Sequence, residues 1–106
     1  MSTLENNFDA IEKLIYEEGL RIEAVDLHPE LDVMLIVLNT KAVLYQRISA
    51  YPQLKTAATN ALLQYELISN GTGVHWPQLN EDLSLKGFLR DELKNLVKKG
   101  KDAAAA

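Results

Sequence analysis

The sequence predicts a single α+β domain in the order α-β-β-β-α-β-β-α, with a mainly antiparallel sheet and helices packed on it. Three observations predict this. Apolar residues recur at three- and four-residue spacing towards both ends, as on one face of a helix. Between those ends, short alternating or continuous apolar runs are punctuated by Gly, Pro and Asn, as strands are. The chain has 106 residues, 47% hydrophobic and 25% charged, which is ordinary globular composition for one domain. A chain of this size removes roughly two-thirds of its unfolded surface from water and needs no staples.

Ser2-Thr3-Leu4-Glu5 fits a capping box, in which a hydroxyl and a carboxylate satisfy the free backbone donors at a helix start. Leu4, Phe8, Ile11, Leu14 and Ile15 form one apolar stripe, and Asp9 and Lys13 an i,i+4 pair on the wet side. Gly19 supplies the stop. From Leu20 the period becomes two, with Leu20, Ile22 and Ala24 set against Arg21, Glu23 and Val25. His28-Pro29-Glu30 breaks that strand.

Val33 to Leu38 (VMLIVL) is continuously apolar and is expected at the centre of a sheet. Asn39-Thr40-Lys41 turns the chain into a returning strand, Ala42 to Ile48, with Val43, Tyr45 and Arg47 on one face. Ser49 is expected to cap a second helix with Pro52 in its first turn and a small-residue stripe of Leu54, Ala57, Ala58, Ala61 and Leu62. Gln64 to Ser69 reads as strand and Asn70-Gly71-Thr72-Gly73 as a turn; Val74-His75-Trp76 is a strand ended by Pro77.

A polar connector then leads to the last helix, with Asp82 or Ser84 as its cap and Leu85, Phe88, Leu89, Leu93, Leu96 and Val97 on one face. Gly87 inside it costs about 1 kcal/mol against alanine, which marks close packing. Gly100 is expected to end it. Residues 1–100 thus read as one domain, with the first helix within 1–19, a core over 20–93, and a disordered tail over 101–106. No internal repeat of roughly 20 to 50 residues is visible.

The absence of cysteine removes disulfides, thiolate metal sites and Cys nucleophiles together, and fits a reducing compartment. The first residues lack the basic-then-apolar layout of a secretory signal. The longest apolar run, Val33 to Leu38, is far short of the ~20 residues that span a bilayer. A cytoplasmic protein with no membrane partner is therefore expected. A net charge of −4 disfavours broad nucleic-acid binding. The charge is uneven, however: Lys94, Lys98, Lys99 and Lys101 cluster at one end, the end of a helix that favours cations.

The stretch GTGVHWPQLNEDLSLKGFLRDEL has a strand ending in Trp76-Pro77, a short connector, and Asp82-Leu83-Ser84 before an apolar helix. It is similar to the small bacterial family called domain of unknown function 2442. The resemblance covers about Leu20 to Leu89 and is sharpest from Trp76 to Leu83, where Trp76, Pro77, Asp82 and Leu83 are the signature. The chain departs from the family by its N-terminal helix, its lack of an Asn-Gly or Asp-Gly turn between the second and third strands, and its longer last helix. Some members carry a separate helix-turn-helix domain; others sit beside small uncharacterised partners in a layout like a toxin–antitoxin pair. The resemblance implies a fold and a hint of pairing, and no established activity.

No catalytic, cofactor-binding or metal-binding residue is expected. His75 and Trp76 are adjacent in a strand and point to opposite faces, so Trp76 is expected in the core with its indole N–H bonded to backbone. Asp26, His28, Glu30 and Asp32 hold enough oxygen for a divalent cation but lack the loop spacing of a calcium site, and read as a solvated turn. Glu81 and Asp82 suit the positive end of a helix. Ser49, Ser69 and Ser84 lie in no nucleophile elbow, and no phosphate-binding glycine motif occurs.

The expected function is a non-catalytic protein-interaction module that binds another chain, itself or a small neighbour. The apolar surface for it is Phe8, Ile11 and Ile15 on the first helix and Phe88, Leu93 and Val97 on the last. An antitoxin-like regulator that also contacts DNA is the alternative, and a small hydrolase or metal-binding protein the third.

Overall fold

The computed structural model describes residues 9–105, and side chains over 9–98. The Ser2–Glu5 capping box, Leu4 and Phe8 lie outside the described residues, as do the side chains of Lys99 and Lys101. The first helix, α1, is Ala10–Tyr16. Its capping box stands at Asp9 and Glu12: Asp9 Oδ1 accepts the Glu12 N–H at 2.8 Å, and the Asp9 N–H donates to Glu12 Oε1 at 3.1 Å. Asp9 also meets Lys86 at 3.4 Å, so its carboxylate serves the cap and the last helix rather than Lys13. The Arg21 guanidinium donates to the carbonyls of Ile15 and Leu20 and closes the helix's C-terminal end.

Strands β1 (Ile22–His28), β2 (Val33–Leu38) and β3 (Val43–Gln46) form an antiparallel sheet with β2 central, where its apolar run was expected. The alternation expected for β1 is corrected by a bulge. Ile22 pairs with Leu38 but Ala24 pairs with Val37, so Glu23 is an extra residue. Because side chains alternate, one inserted residue exchanges the faces beyond it. Ile22, Val25 and Leu27 are accordingly buried, while Ala24 is only half-buried. In β3, Leu44 and Gln46 point inward and Val43 and Tyr45 to solvent.

The helix expected after Ser49 is two single turns, α2 (Pro52–Lys55) and α3 (Thr59–Leu62), separated by extended backbone at Ala58. Ser49 caps neither. Its N–H and hydroxyl both donate to the Asp32 carboxylate, at 2.8 and 2.6 Å, which fastens the end of β3 to the β1–β2 turn. The two short turns bury Leu54 and Leu62 together.

The second sheet comprises β4 (Glu66–Ile68), β5 (Gly73–Trp76) and β6 (Glu81–Ser84), antiparallel in that order. The expected order of elements holds, with β6 as one strand more. It occupies the polar connector, because β5 offers a free backbone edge and pairing needs no apolar alternation from EDLS. Although the sequence shows no repeat, each half of the chain thus runs strand, 3-10 turn, strand, strand, helical segment. The last helix, α4, is Leu85–Ala105; it runs through Gly100, which therefore does not end it. Its first N–H donates to the Thr72 carbonyl at 2.8 Å, which ties it to the β4–β5 turn.

Both sheets contribute to one core, with Met34 and Ile36 of β2, Val74 and Trp76 of β5, and Leu85 and Phe88 of α4 fully or almost fully buried. Trp76 is buried as expected, and its indole N–H donates to the Leu62 carbonyl at 2.9 Å. Trp76→Phe leaves that carbonyl without a partner and a void beside it. It is expected to lower the unfolding free energy by about 2–4 kcal/mol. An unchanged midpoint in chemical denaturation followed by circular dichroism would show the indole to be dispensable.

Candidate functional site

Helix α4 carries the candidate surface. Ser84 caps it: its hydroxyl oxygen accepts the Gly87 N–H at 3.0 Å. A Cβ at Gly87 would stand 3.2 Å from that oxygen, so the glycine accommodates the cap rather than a neighbouring element. Glu81 and Asp82 do not flank the helix end. They lie on β6, where Asp82 is opposite His75 and its carboxylate is hydrogen-bonded to His75 Nδ1.

The six-residue apolar face expected for this helix divides in two. Leu85 and Phe88 are buried, Phe88 at 1% exposure, and Leu89 is half-buried. Leu93, Leu96 and Val97 are exposed at 53%, 57% and 59%. At 3.6 residues per turn, the line through Leu85 and Phe88 continues into Glu92 and Asn95; Leu96 and Leu89 stand at its edge, close to the direction of Leu85, and Leu93 and Val97 lie about a quarter to a third of a turn from Leu85. Beyond its second turn the helix therefore turns Glu92 and Asn95 towards the body and leaves Leu93 and Val97 outside, with Leu96 on the rim of the groove beside β3. Of the residues expected to bind a partner, Ile15 and Phe88 are corrected to core positions, because burial leaves no surface to offer. Ile11 is half-buried against that core, and Phe8 is outside the described residues. Leu93 and Val97 remain, joined by Leu96.

A buried polar link holds the helix against β3 where the two faces diverge. Gln46 is buried, and its side-chain amide lies 3.5 Å from the Phe88 carbonyl and 3.4 Å from Glu92 Oε1. Tyr51 Oη is 2.6 Å from Gln46 Oε1 and 3.0 Å from Asp91 Oδ2. Burial, and then the Asp91 carboxylate, push the phenol's pKa far above its ordinary value, so Tyr51 stays a neutral donor. Two open grooves flank the helix. One of about 420 Å³ is lined by Ile15, Tyr51, Ile68, Asp82, Phe88 and Asp91. The other, about 690 Å³, runs between β3 and the distal half of α4, past Tyr45, Arg47, Lys94 and Lys98.

Charge along α4 is equally divided. Lys86 meets Asp9 at 3.4 Å and Glu12 at 3.1 Å, and these carboxylates hold its ammonium pKa above the usual value, with Glu12 the larger cause. Arg90, Lys94 and Lys98 are exposed and make no ion pair among the described residues.

The other sequence candidates do not converge. His28 Nε2 lies 3.0 Å from Asp26 and Nδ1 3.7 Å from Glu30, and the Asp26 hydrogen bond raises the imidazole's pKa. Asp32 turns away to Ser49 and stands 3.6 Å from Arg47. Among the described residues no three His, Asp or Glu side chains are grouped to hold a metal, and no helix is long and apolar enough to cross a membrane.

The family model of a protein of unknown function, DUF2442, matches residues 22–93. The chain belongs to the DUF2442 family. A solution NMR structure of an uncharacterised protein from Chromobacterium violaceum is similar at a TM-score of 0.65 and 26% identity, over 87% of this chain and 84% of that one. A crystal structure of a protein of unknown function from Rhodospirillum rubrum shares the fold at a TM-score of 0.62 and 22% identity, over 69% of this chain and 88% of that one. No curated protein matches. The DUF2442 match takes in Trp76, Pro77, Asp82 and Leu83 and ends at Leu93, so α1 and the distal half of α4 lie outside it.

One measurement checks the exposure along α4 and a second checks the Asp32–Ser49 contact. Phe88→Ala is expected to cost about 3–5 kcal/mol of stability. Leu93→Ala, one turn on, should change it by less than about 0.5 kcal/mol; equal losses in urea denaturation would contradict the split face. The second concerns acid. The Ser49 hydroxyl and N–H hold the Asp32 pKa below its ordinary value. The resulting stabilisation is fully present above the unfolded pKa and is lost as pH falls through the folded one. Below about pH 4 the wild-type Tm should therefore fall more steeply than that of Asp32→Asn; parallel slopes would show the contact to be silent.

Proposed function

We propose that this DUF2442 protein is a non-catalytic interaction module that binds a partner chain through the distal half of α4. The observation that carries the reading is the row Leu93, Leu96 and Val97, each more than half exposed, on the distal half of the helix, which its own core does not cover. Scattered surface leucines are ordinary, but a contiguous helical stripe is the form in which a helix meets a groove or another helix. The titratable groups near it support binding rather than turnover: Tyr51 is held neutral, and Asp91 and Glu92 are engaged with Tyr51 and Gln46.

A second reading, an antitoxin-like regulator that also contacts DNA, is favoured by the α4 cations Arg90, Lys94 and Lys98, which make no ion pair among the described residues. A salt-dependent shift of operator DNA, weakened in Lys94→Glu, would support it.

Light scattering of the pure protein, alone and mixed with a candidate neighbour, tests the module. The expected outcome is a complex that Leu96→Asp abolishes with no change in Tm. A monomer in both solutions, with Leu96→Asp indistinguishable from wild type, would sink the reading.

A further inference from the structure

We propose that the exposed stripe of α4 seats an acidic amphipathic helix from a different protein, in the way that α1 already sits on the first turns of the same helix. The proposal rests on the interaction-module reading and states what the module takes.

The chain contains its own example of the contact. Helix α1 is short, acidic at its start and apolar along one side. It sets Ile15 into the core and Ile11 against it, and brings the carboxylates of Asp9 and Glu12 to the Lys86 ammonium. An amphipathic helix whose cap and first turn bring two carboxylates thus rests on a cation of α4 beside the apolar residues Phe88 and Leu89. Past Leu89 the same combination returns uncovered. Leu93, Leu96 and Val97 supply the apolar row, and Arg90, Lys94 and Lys98 supply cations with no ion pair among the described residues. On a chain of net charge −4, these cations form a patch opposite in sign to the molecule as a whole.

Charge decides the occupant. Arg90 and Lys94 are i,i+4 neighbours along one edge of the row. A two-fold contact between copies is isologous, so an antiparallel helix pair sets this edge against itself, cation to cation. Duplex nucleic acid would meet the cations but leave the leucines in water, since phosphate contacts make no use of an apolar row. A helix with leucines at i, i+3, i+4 and i+7 and glutamates at its flanks satisfies both parts.

The test uses the full chain and fluorescence anisotropy with labelled synthetic peptides. One peptide carries that leucine pattern with Glu at the flanks; the other has the same leucines with Lys. The Glu peptide is expected to bind at least about tenfold more tightly at low salt. Lys94→Glu with Lys98→Glu should invert the preference, and Leu96→Asp should abolish binding, with Tm unchanged in both variants. If the Lys peptide binds equally well or better and Leu96→Asp still abolishes it, the acidic partner is wrong and the module reading survives. Binding of neither peptide, with no neighbour captured in light scattering, overturns both. A doubled mass for the pure protein that Leu96→Asp returns to monomer assigns the surface to a second copy. Binding of a DNA duplex that is kept in Leu96→Asp but lost in the double lysine variant assigns it to nucleic acid. Either result overturns the proposal.

Discussion

The burial of Trp76 holds the two halves of this protein together. Its ring lies in the core that both sheets share, and its indole N–H is the donor for the Leu62 carbonyl at the end of α3. A buried carbonyl without a donor costs as much as a lost hydrogen bond, so the position of the helical connector is tied to the presence of that ring. The strand that carries it is equally constrained. Trp76 pairs with Glu81 across β5 and β6, and β6 delivers the chain directly into α4, whose first N–H is taken by Thr72. One large side chain thus connects the middle of the chain to the placement of its last helix.

That placement creates the candidate surface. The helix enters with Leu85 and Phe88 inward and is held by Gln46 where its inward line becomes polar. Had the apolar row continued in line with Phe88, the distal half would lie against β3. Instead Glu92 and Asn95 take that line, an open groove that Leu96 also lines lies beneath them, and Leu93 and Val97 face sideways. The surface is a consequence of one broad apolar arc along the helix, of which this chain buries only the proximal part at Leu85 and Phe88. The family match ends at Leu93, so the surface begins within the match and runs on past it through Lys94, Leu96, Val97 and Lys98.

The two terminal helices illustrate how the same composition takes different roles. Ile15 and Val97 look alike as members of amphipathic stripes, yet one is buried and the other more than half exposed. Asp9 and Lys13 look like an ion pair by spacing, but the capping box and Lys86 take the carboxylate. His75 was separable from Trp76 by strand alternation, whereas its pairing with Asp82 required a strand that EDLS does not announce.

From the residues alone the chain determined its class, the central strand VMLIVL, a turn around Asn70 and Gly71, the burial of Trp76 with its indole bonded to backbone, and two candidate caps for the last helix, Asp82 and Ser84. These follow from short-range rules: periodicity, the constraints of Gly and Pro, and the need of a buried donor for an acceptor. Tertiary structure alone decided the bulge at Glu23, the pairing of β6, the division of the helix after Ser49, and which leucines of α4 are covered. Each of these depends on a neighbour that local spacing does not name: Leu38 for the register of Ile22, β5 for the backbone groups of EDLS, Asp32 for Ser49, and Gln46 for the line that α4 presents to the body. Spacing can say that a helix has an apolar side; what lies against that side is a property of the folded chain.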